Sequence, residues 1–327
     1  MTERERFLAT LVGSGADRFP YFDLEPAEET VERWWREGLP RGTSVAAHFQ
    51  LETHSSIGVV VRSAPFYEQA SDLLSDPGSF ARHYDLDDPD RFPKDLVRRC
   101  KRLRKEGRVL YVNASGGGLF QMLGVGDWQS LVDACVALKD DPKTVHALLE
   151  KTADFHCRCL EKVLPEVSVD FASLYEPIAA PGGPLVSPEM FRDFALPVYQ
   201  RVIEVLDRHG VSLKILSTTG GDLSSLLPSF LDAGINGLWI SNIMSTRMEY
   251  GTLRREYGPD IALIGGIDST ALTADDDSLR RVIEETVPPL LETGHYLPCL
   301  DDRPRSNVPF ASYERYREIL ADVAHRT

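Results

Sequence analysis

The sequence predicts an α/β fold: a single (β/α)8 (TIM) barrel spanning residues 1–327, entered through an irregular, partly helical N-terminal stretch. Three observations carry the prediction. From about residue 95 onward, short apolar strands alternate one for one with helices, the pattern of a parallel sheet buried on both faces. The strands after residue 105, with one or two earlier candidates, make about eight, the number that closes a barrel. No Gly-x-Gly-x-x-Gly follows the first strand, which removes the usual support for a dinucleotide-binding sheet.

Taken in order, Glu3 to Leu11 reads as a helix, Phe19 to Leu24 as a first strand, and Glu28 to Glu37 as a helix carrying paired tryptophans. "VAAHFQL" and "IGVVVR", between Thr43 and Pro65, read as extended, and "YDLDDPDRFP" as a surface loop with two proline breaks. The regular part begins with strand "VLYVNAS". Helices "DWQSLVDACVAL" and "DPKTVHALLEKTADFHCRCLEKVL" follow, the second opened by Asp-Pro. After strand "VDFASLY" comes the helix "SPEMFRDFALPVYQRVIEVLDRHG", with Ser187 as N-cap, Pro188 at its first position and Gly210 as its stop. The alternation continues through strand "VSLKILS", helix "LSSLLPSFLDAG", strand "NGLWIS", helix "MEYGTLRREYG" and strand "IALIGGID". Helix "SLRRVIEETVPPLLETG", strand "HYLP" and a helix from Ser312 complete it. No linker divides the chain into domains.

Composition narrows the functional classes. With 43% hydrophobic and 26% charged residues the chain reads as globular, and no apolar run is long enough to span a bilayer. Its beginning, Met-Thr-Glu-Arg-Glu-Arg, lacks a signal-peptide core, so the cytoplasm is the expected location. Thirty-six basic against 50 acidic residues, a net −14, argue against nucleic acid or an anionic membrane as partner but leave small-molecule substrates open. The five cysteines form no disulfide framework.

In such a barrel chemistry sits where the strands end. Those ends supply Asn113 and Ser115; Tyr175 and Glu176; Ser217, Thr218 and Thr219; Ser241 and Asn242; Asp268 and Ser269; and Cys299, Asp301, Asp302, Arg303 and Arg305, with His48, Glu52 and His54 from the early segment. Glu176 stands just past a buried strand, a place for a general acid or base with a raised pKa; a capping or ion-paired loop carboxylate is the plain structural alternative. Asp268 closes "IGGID", whose glycines permit close backbone approach to a ligand; a turn or N-cap aspartate beside Ser269 is the alternative. Arg303 and Arg305 suit bidentate grip of a carboxylate or phosphate, against a loop whose charges pair among themselves. His156, Cys157 and Cys159 lie in a helix that points Cys157 and Cys159 to different faces, and zinc needs four ligands or three plus water, so no metal site is expected there.

The segments "ERFLATLVGSGADRFP", "ETVERWWREGLP", "LVSPEMFRDFALPVYQRVIEVLDRHG", "LLPSFLDAGINGL", "LRREYGPDIALIGGID" and "HYLP…DDRPRSNVPFASYERY" together resemble the uroporphyrinogen decarboxylase superfamily, which also holds cobalamin-dependent methyltransferases. The resemblance runs in order from about residue 3 to 320 and implies one barrel with its active site at the strand C-termini. The arginine-rich opening motif of the true decarboxylases has no match; "FPYFDLEPAEE" stands there. Against the zinc methyltransferases, Ser217 and Thr219 occupy the His and Cys places, and Cys299 alone matches a third ligand. The resemblance is greatest to members linked to corrinoid-dependent demethylation. Relative to them the chain keeps Glu176, Asp268 and Asp301, and has Gly220, Asn242, Ser269 and Asp302 where they carry Asp, Glu, Lys and His.

The resemblance implies an enzyme moving a methyl group between a small substrate and a corrinoid on a partner protein, with no tightly bound cofactor or metal of its own. Glu176, Asp268 and Asp301 would be catalytic; His48, Tyr175, Ser217, Thr218, Thr219, Asn242, Asp302, Arg303 and Arg305 would bind substrate. The alternatives are a decarboxylase (carboxy-lyase) acting on a carboxylated compound and a non-catalytic binding protein on the same barrel. Homo-oligomerisation is left open.

Overall fold

The computed structural model describes residues 1–52, 54–56, 73–88, 91–114, 118–180, 182–219, 221–241 and 248–326. They form two compact units, one of residues 54–236 and one of residues 1–53 with 237–327. The expected β/α alternation appears within each.

In the unit of residues 54–236, four strands pair in parallel in the order β1 (His54–Ser56), β2 (Val109–Asn113), β3 (Phe171–Tyr175) and β6 (Leu213–Thr219). β4 (Ala179–Ala180) and β5 (Gly183–Pro184) form a separate small antiparallel hairpin. Burial of every β3 residue but Tyr175 fits a sheet covered on both faces. The helices start where the sequence signals them: Asp127 caps Trp128–Asp140, Asp141 with Pro142 opens Pro142–Val163, and Ser187 accepts from the Met190 N–H. The helix predicted as one piece after Ser187 is interrupted by a π turn at Phe191–Ala195 before continuing as Leu196–Arg208. Pro197 has no N–H to offer the Asp193 carbonyl, and the ladder shifts around that gap.

In the other unit, β7 (Gly237–Ser241), β8 (Ala262–Ile267) and β9 (Tyr296–Leu300) are parallel neighbours, with helices Tyr250–Tyr257, Asp276–Thr293 and Phe310–His325 following them. All five β9 residues are buried. Thr2 and Glu5 form a capping box on helix Glu3–Leu11. The paired tryptophans on helix Glu28–Glu37 diverge: Trp34 is buried with its indole N–H on the Val308 carbonyl at 2.9 Å, while Trp35 stays exposed.

Two sequence expectations fail here. Phe19–Leu24 is not a strand, because Pro20 interrupts it and its apolar residues dock singly, Phe22 edge-on to Trp239 at 5.5 Å. "VAAHFQL" is not extended either; Ser44 accepts from the Ala47 N–H and starts the short helix Val45–His48. "IGVVVR" lies outside the described residues. No described helix is long and apolar enough to cross a membrane.

Candidate functional site

At the paired ends of β3 and β6, Tyr175 stands opposite Ser217. The chain then brings Glu176 into a closed setting. Its N–H donates to the Ser217 carbonyl at 2.8 Å, and its carbonyl accepts from the Thr218 hydroxyl at 2.7 Å. Its carboxyl is fully buried and is held by neutral donors: Oε2 accepts from the Tyr199 hydroxyl at 2.8 Å and from the Leu119 N–H at 3.0 Å. Among the described residues, Oε1 accepts only from the Leu119 N–H, at 3.3 Å. Burial pushes the Glu176 pKa up to about 7, against the opposing pull of these two hydrogen bonds. Burial, with the neighbouring Glu176, also raises the Tyr199 phenol well above its usual range.

Two glycines make this arrangement possible. Gly118 has φ +95°, and a Cβ there would overlap Oε1 and lie 2.8 Å from the Glu176 carboxyl carbon. Gly221, in the turn after β6, has φ +78° and passes so close to the β4 backbone that a Cβ would lie 2.6 Å from the Ala179 Cβ. Gly221 thus packs directly against β4. Replacing Gly118 by alanine is expected to cost about 1–3 kcal/mol of stability through strain at positive φ, measured by urea unfolding. The half-buried Ser217 hydroxyl lies 3.0 Å from that of Ser173. Thr219 ends β6, and its side chain, like Ser115, Gly220 and Asn242, lies outside the described residues.

In the other unit, the pairing of Ile267 with Leu300 sets Asp268 and Asp301 side by side at the ends of β8 and β9. Asp301 is buried and accepts from the Ser269 N–H at 2.9 Å. Burial raises its pKa; the Ser269 hydrogen bonds oppose this, and Asp268 and Asp302 add to it. Asp268 accepts from the Thr270 N–H at 3.0 Å and hydroxyl at 2.7 Å, and so caps the turn that follows. Both aspartates line a cavity of about 390 Å³, with Tyr250, Arg255, Gly266 and Glu285 among its walls. The glycines of "IGGID" answer first to Tyr250: a Cβ on Gly266 would meet its ring at 2.8 Å. That tyrosine ties two strands, its hydroxyl accepting from the Ile240 N–H at 2.9 Å and donating to the Ile264 carbonyl at 2.5 Å.

The remaining sequence candidates disperse. Asp302 is buried and ion-paired with Arg305 at 2.7 Å within one loop, and Arg303 is exposed. His48 faces Glu314 of the last helix at 3.9 Å. Glu52 is buried between Arg6 at 2.6 Å and Arg18 at 2.7 Å, and His54 opens β1. Cys299 is fully buried, which drives its thiol pKa well up; burial likewise pushes Cys159 to about 12 and lowers His156 to about 4.

Sequence reasoning passed over Asp23. Its side chain is buried beside the end of β9 and collects four donors: the Leu300 N–H at 2.9 Å, the Tyr313 and Tyr316 hydroxyls at 2.9 and 3.1 Å, and Arg317 at 2.8 Å. It fixes the strand end from which Asp301 projects.

A family model described as uroporphyrinogen decarboxylase (URO-D) matches residues 95–297. The chain is similar to the uroporphyrinogen decarboxylase of Shewanella piezotolerans, 29% identical over 160 residues, 48% of this chain and 42% of that protein. It is also similar to that of Thioalkalivibrio sulfidiphilus, 27% identical over 208 residues, 60% of this chain and 54% of that one. The chain therefore spans about half the length of the curated relatives it matches. Among solved structures, a methyltransferase from Methanosarcina mazei shares the fold, with a TM-score of 0.63 and 16% identity, over 100% of this chain and 99% of that one.

Proposed function

The chain belongs to the uroporphyrinogen decarboxylase family, and from that premise we propose that it is an enzyme moving a methyl group from a small methoxylated substrate to a corrinoid carried by a separate protein. The observation that carries this reading is the Glu176 carboxyl: fully buried, held by neutral donors, and titrating near neutrality. A group of that kind holds a proton at neutral pH and gives it up inside a water-poor site. The corrinoid, when present on its carrier, supplies the metal centre that takes the methyl group. The residues of this chain act on the other fragment. As the methyl–oxygen bond breaks, the proton of Glu176 goes to the departing oxygen, approaching on the side of Oε1. Among the described residues that oxygen carries the weaker hydrogen bond, and it packs against Gly118 where a Cβ would otherwise lie. The carboxylate so formed is stabilised by the Tyr199 hydroxyl and the Leu119 N–H already aimed at Oε2. The half-buried Ser217 contributes a hydroxyl suited to hydrogen-bonding such a substrate rather than to ligating a soft metal, while the buried Thr218 hydroxyl holds the Glu176 carbonyl.

The name of the sequence relatives supports a second reading, decarboxylation of a carboxylated compound. On that reading the cavity beside Asp268 and Asp301 takes the substrate, with Arg255 on its wall as the cation for a carboxylate. One experiment separates the two. Purified protein is incubated with methoxybenzoates and reduced cobalamin, and phenol formation and carbon dioxide release are followed together. Methyl transfer predicts phenol without carbon dioxide, and a fall of about 10²- to 10⁴-fold in turnover for Glu176→Gln. Carbon dioxide release without the cobalamin, or unchanged phenol formation in the variant, overturns it.

A further inference from the structure

Residues 94–108, "KDLVRRCKRLRKEGR", hold eight of the chain's 36 basic residues and only two acidic ones, a local charge of +6 within a chain of net −14. The helix Leu96–Lys105 arranges these charges by face. Leu96 and Cys100, four apart, are buried, while Arg98, Lys101, Arg102 and Lys105 are exposed, with Lys94 just before the helix in line with them. The exposed cations form one stripe about 15 Å long. Arg104, off the stripe, pairs with the buried Asp170 at 2.7 Å, whereas on the stripe Arg98 reaches Asp95 only at 3.6 Å and Arg102 reaches Glu106 at 3.8 Å, both well exposed. The stripe adjoins a cavity of about 880 Å³ lined by the apolar Phe92, Leu96, Val97 and Val163, with four cations, Lys94, Arg98, Lys101 and Lys162, against two carboxylates, Asp95 and Glu166. Lys162 rests its ammonium over the Phe92 ring at 4.8 Å.

We infer that this face is a docking surface for an acidic segment of a partner protein, which sets carboxylates along Lys94, Arg98, Lys101 and Lys105 and inserts an apolar side chain into the cavity. The sign of the stripe calls for an anionic partner, and the apolar lining of the cavity calls for a protruding apolar group between the anionic ones. A nucleic-acid backbone presents phosphates without such an anchor. A second copy of this chain is disfavoured by symmetry: closure about a two-fold axis on this face would set the stripe against itself. The inference uses no part of the chemistry proposed above, and its test reads no turnover.

The test measures fluorescence anisotropy of the full chain with a labelled 16-residue peptide of glutamate and leucine at helical spacing. An all-glutamate peptide and a 20-base-pair DNA duplex serve as the other probes. The Glu/Leu peptide is expected to bind at low salt, at least about tenfold more tightly than the all-glutamate peptide, and to weaken as salt rises. The double variant K101E/K105E, both exposed positions, is expected to weaken that binding at least about tenfold with an unchanged melting midpoint. Substituting Val97→Asn in the cavity lining is expected to remove the preference for the leucine-bearing peptide alone. Equal binding of both peptides, tighter binding of the duplex, or indifference to K101E/K105E overturns the inference.

Discussion

Replacing Asp23 by alanine is expected to lower the unfolding free energy by about 3–5 kcal/mol. The change leaves the Arg317 guanidinium, with only 10% of its side chain exposed, without its carboxylate, and strands two tyrosine hydroxyls and the Leu300 N–H. Three of the four donors come from residues that are themselves almost fully buried, so water cannot readily replace the lost acceptor. Asparagine keeps the shape and part of the hydrogen bonding but not the charge, and is expected to recover only a fraction of the loss. Urea unfolding followed by circular dichroism measures both. A loss under 1 kcal/mol for the alanine variant would show that the cluster relaxes around the gap.

The second expected effect is on pH dependence. The Glu176 pKa is raised from the ordinary carboxyl value of 4.5 to about 7 in the folded chain. The folded state thus binds the proton more tightly than the unfolded one, and the stabilisation is complete below pH 4.5 and fades as pH rises toward 7. From the size of the shift, the wild-type protein is expected to lose about 3 kcal/mol across that window from this group alone. Glu176→Gln, which cannot ionise, removes the loss. Urea midpoints for the two proteins at pH 5 and pH 8 isolate it, because other titrating groups contribute equally to both. Equal pH slopes would mean that the carboxyl ionises in the fold as it does in water, and would leave the proton-donor role without its basis.

Glu176 was legible in the sequence because a buried apolar strand, "VDFASLY", runs directly into it, and position at a strand end needs no knowledge of distant contacts. Its partners were not. Tyr199 sits among Val198, Val202 and Ile203 on a helix face that reads as core; the signal lay in its hydroxyl, which had to find an acceptor once buried. Gly118 carries no signal in the sequence that sets it apart from the neighbouring glycines; only its contact with Glu176 does. Asp268 and Asp301 are legible as strand-end residues; what the sequence does not show is that the glycines before Asp268 also make way for the Tyr250 ring. Asp23 stands between two apolar residues, Phe22 and Leu24, a charge whose burial only residues 300–317 explain. The basic run 94–108 was in plain view, but a charge tally over the whole chain averaged it away.

The unit that holds Asp23 is built from residues 1–53 and 237–327, and every described donor to the Asp23 carboxylate belongs to residues 300–317. On the ribosome this imposes a wait. Residues 54–236 form a contiguous stretch whose strands can pair as they emerge, while Asp23 must wait for its donors until the end of β9 and the helix Phe310–His325 have been made. Truncation before Arg317 should therefore release the N-terminal segment to proteases while leaving the central stretch protected.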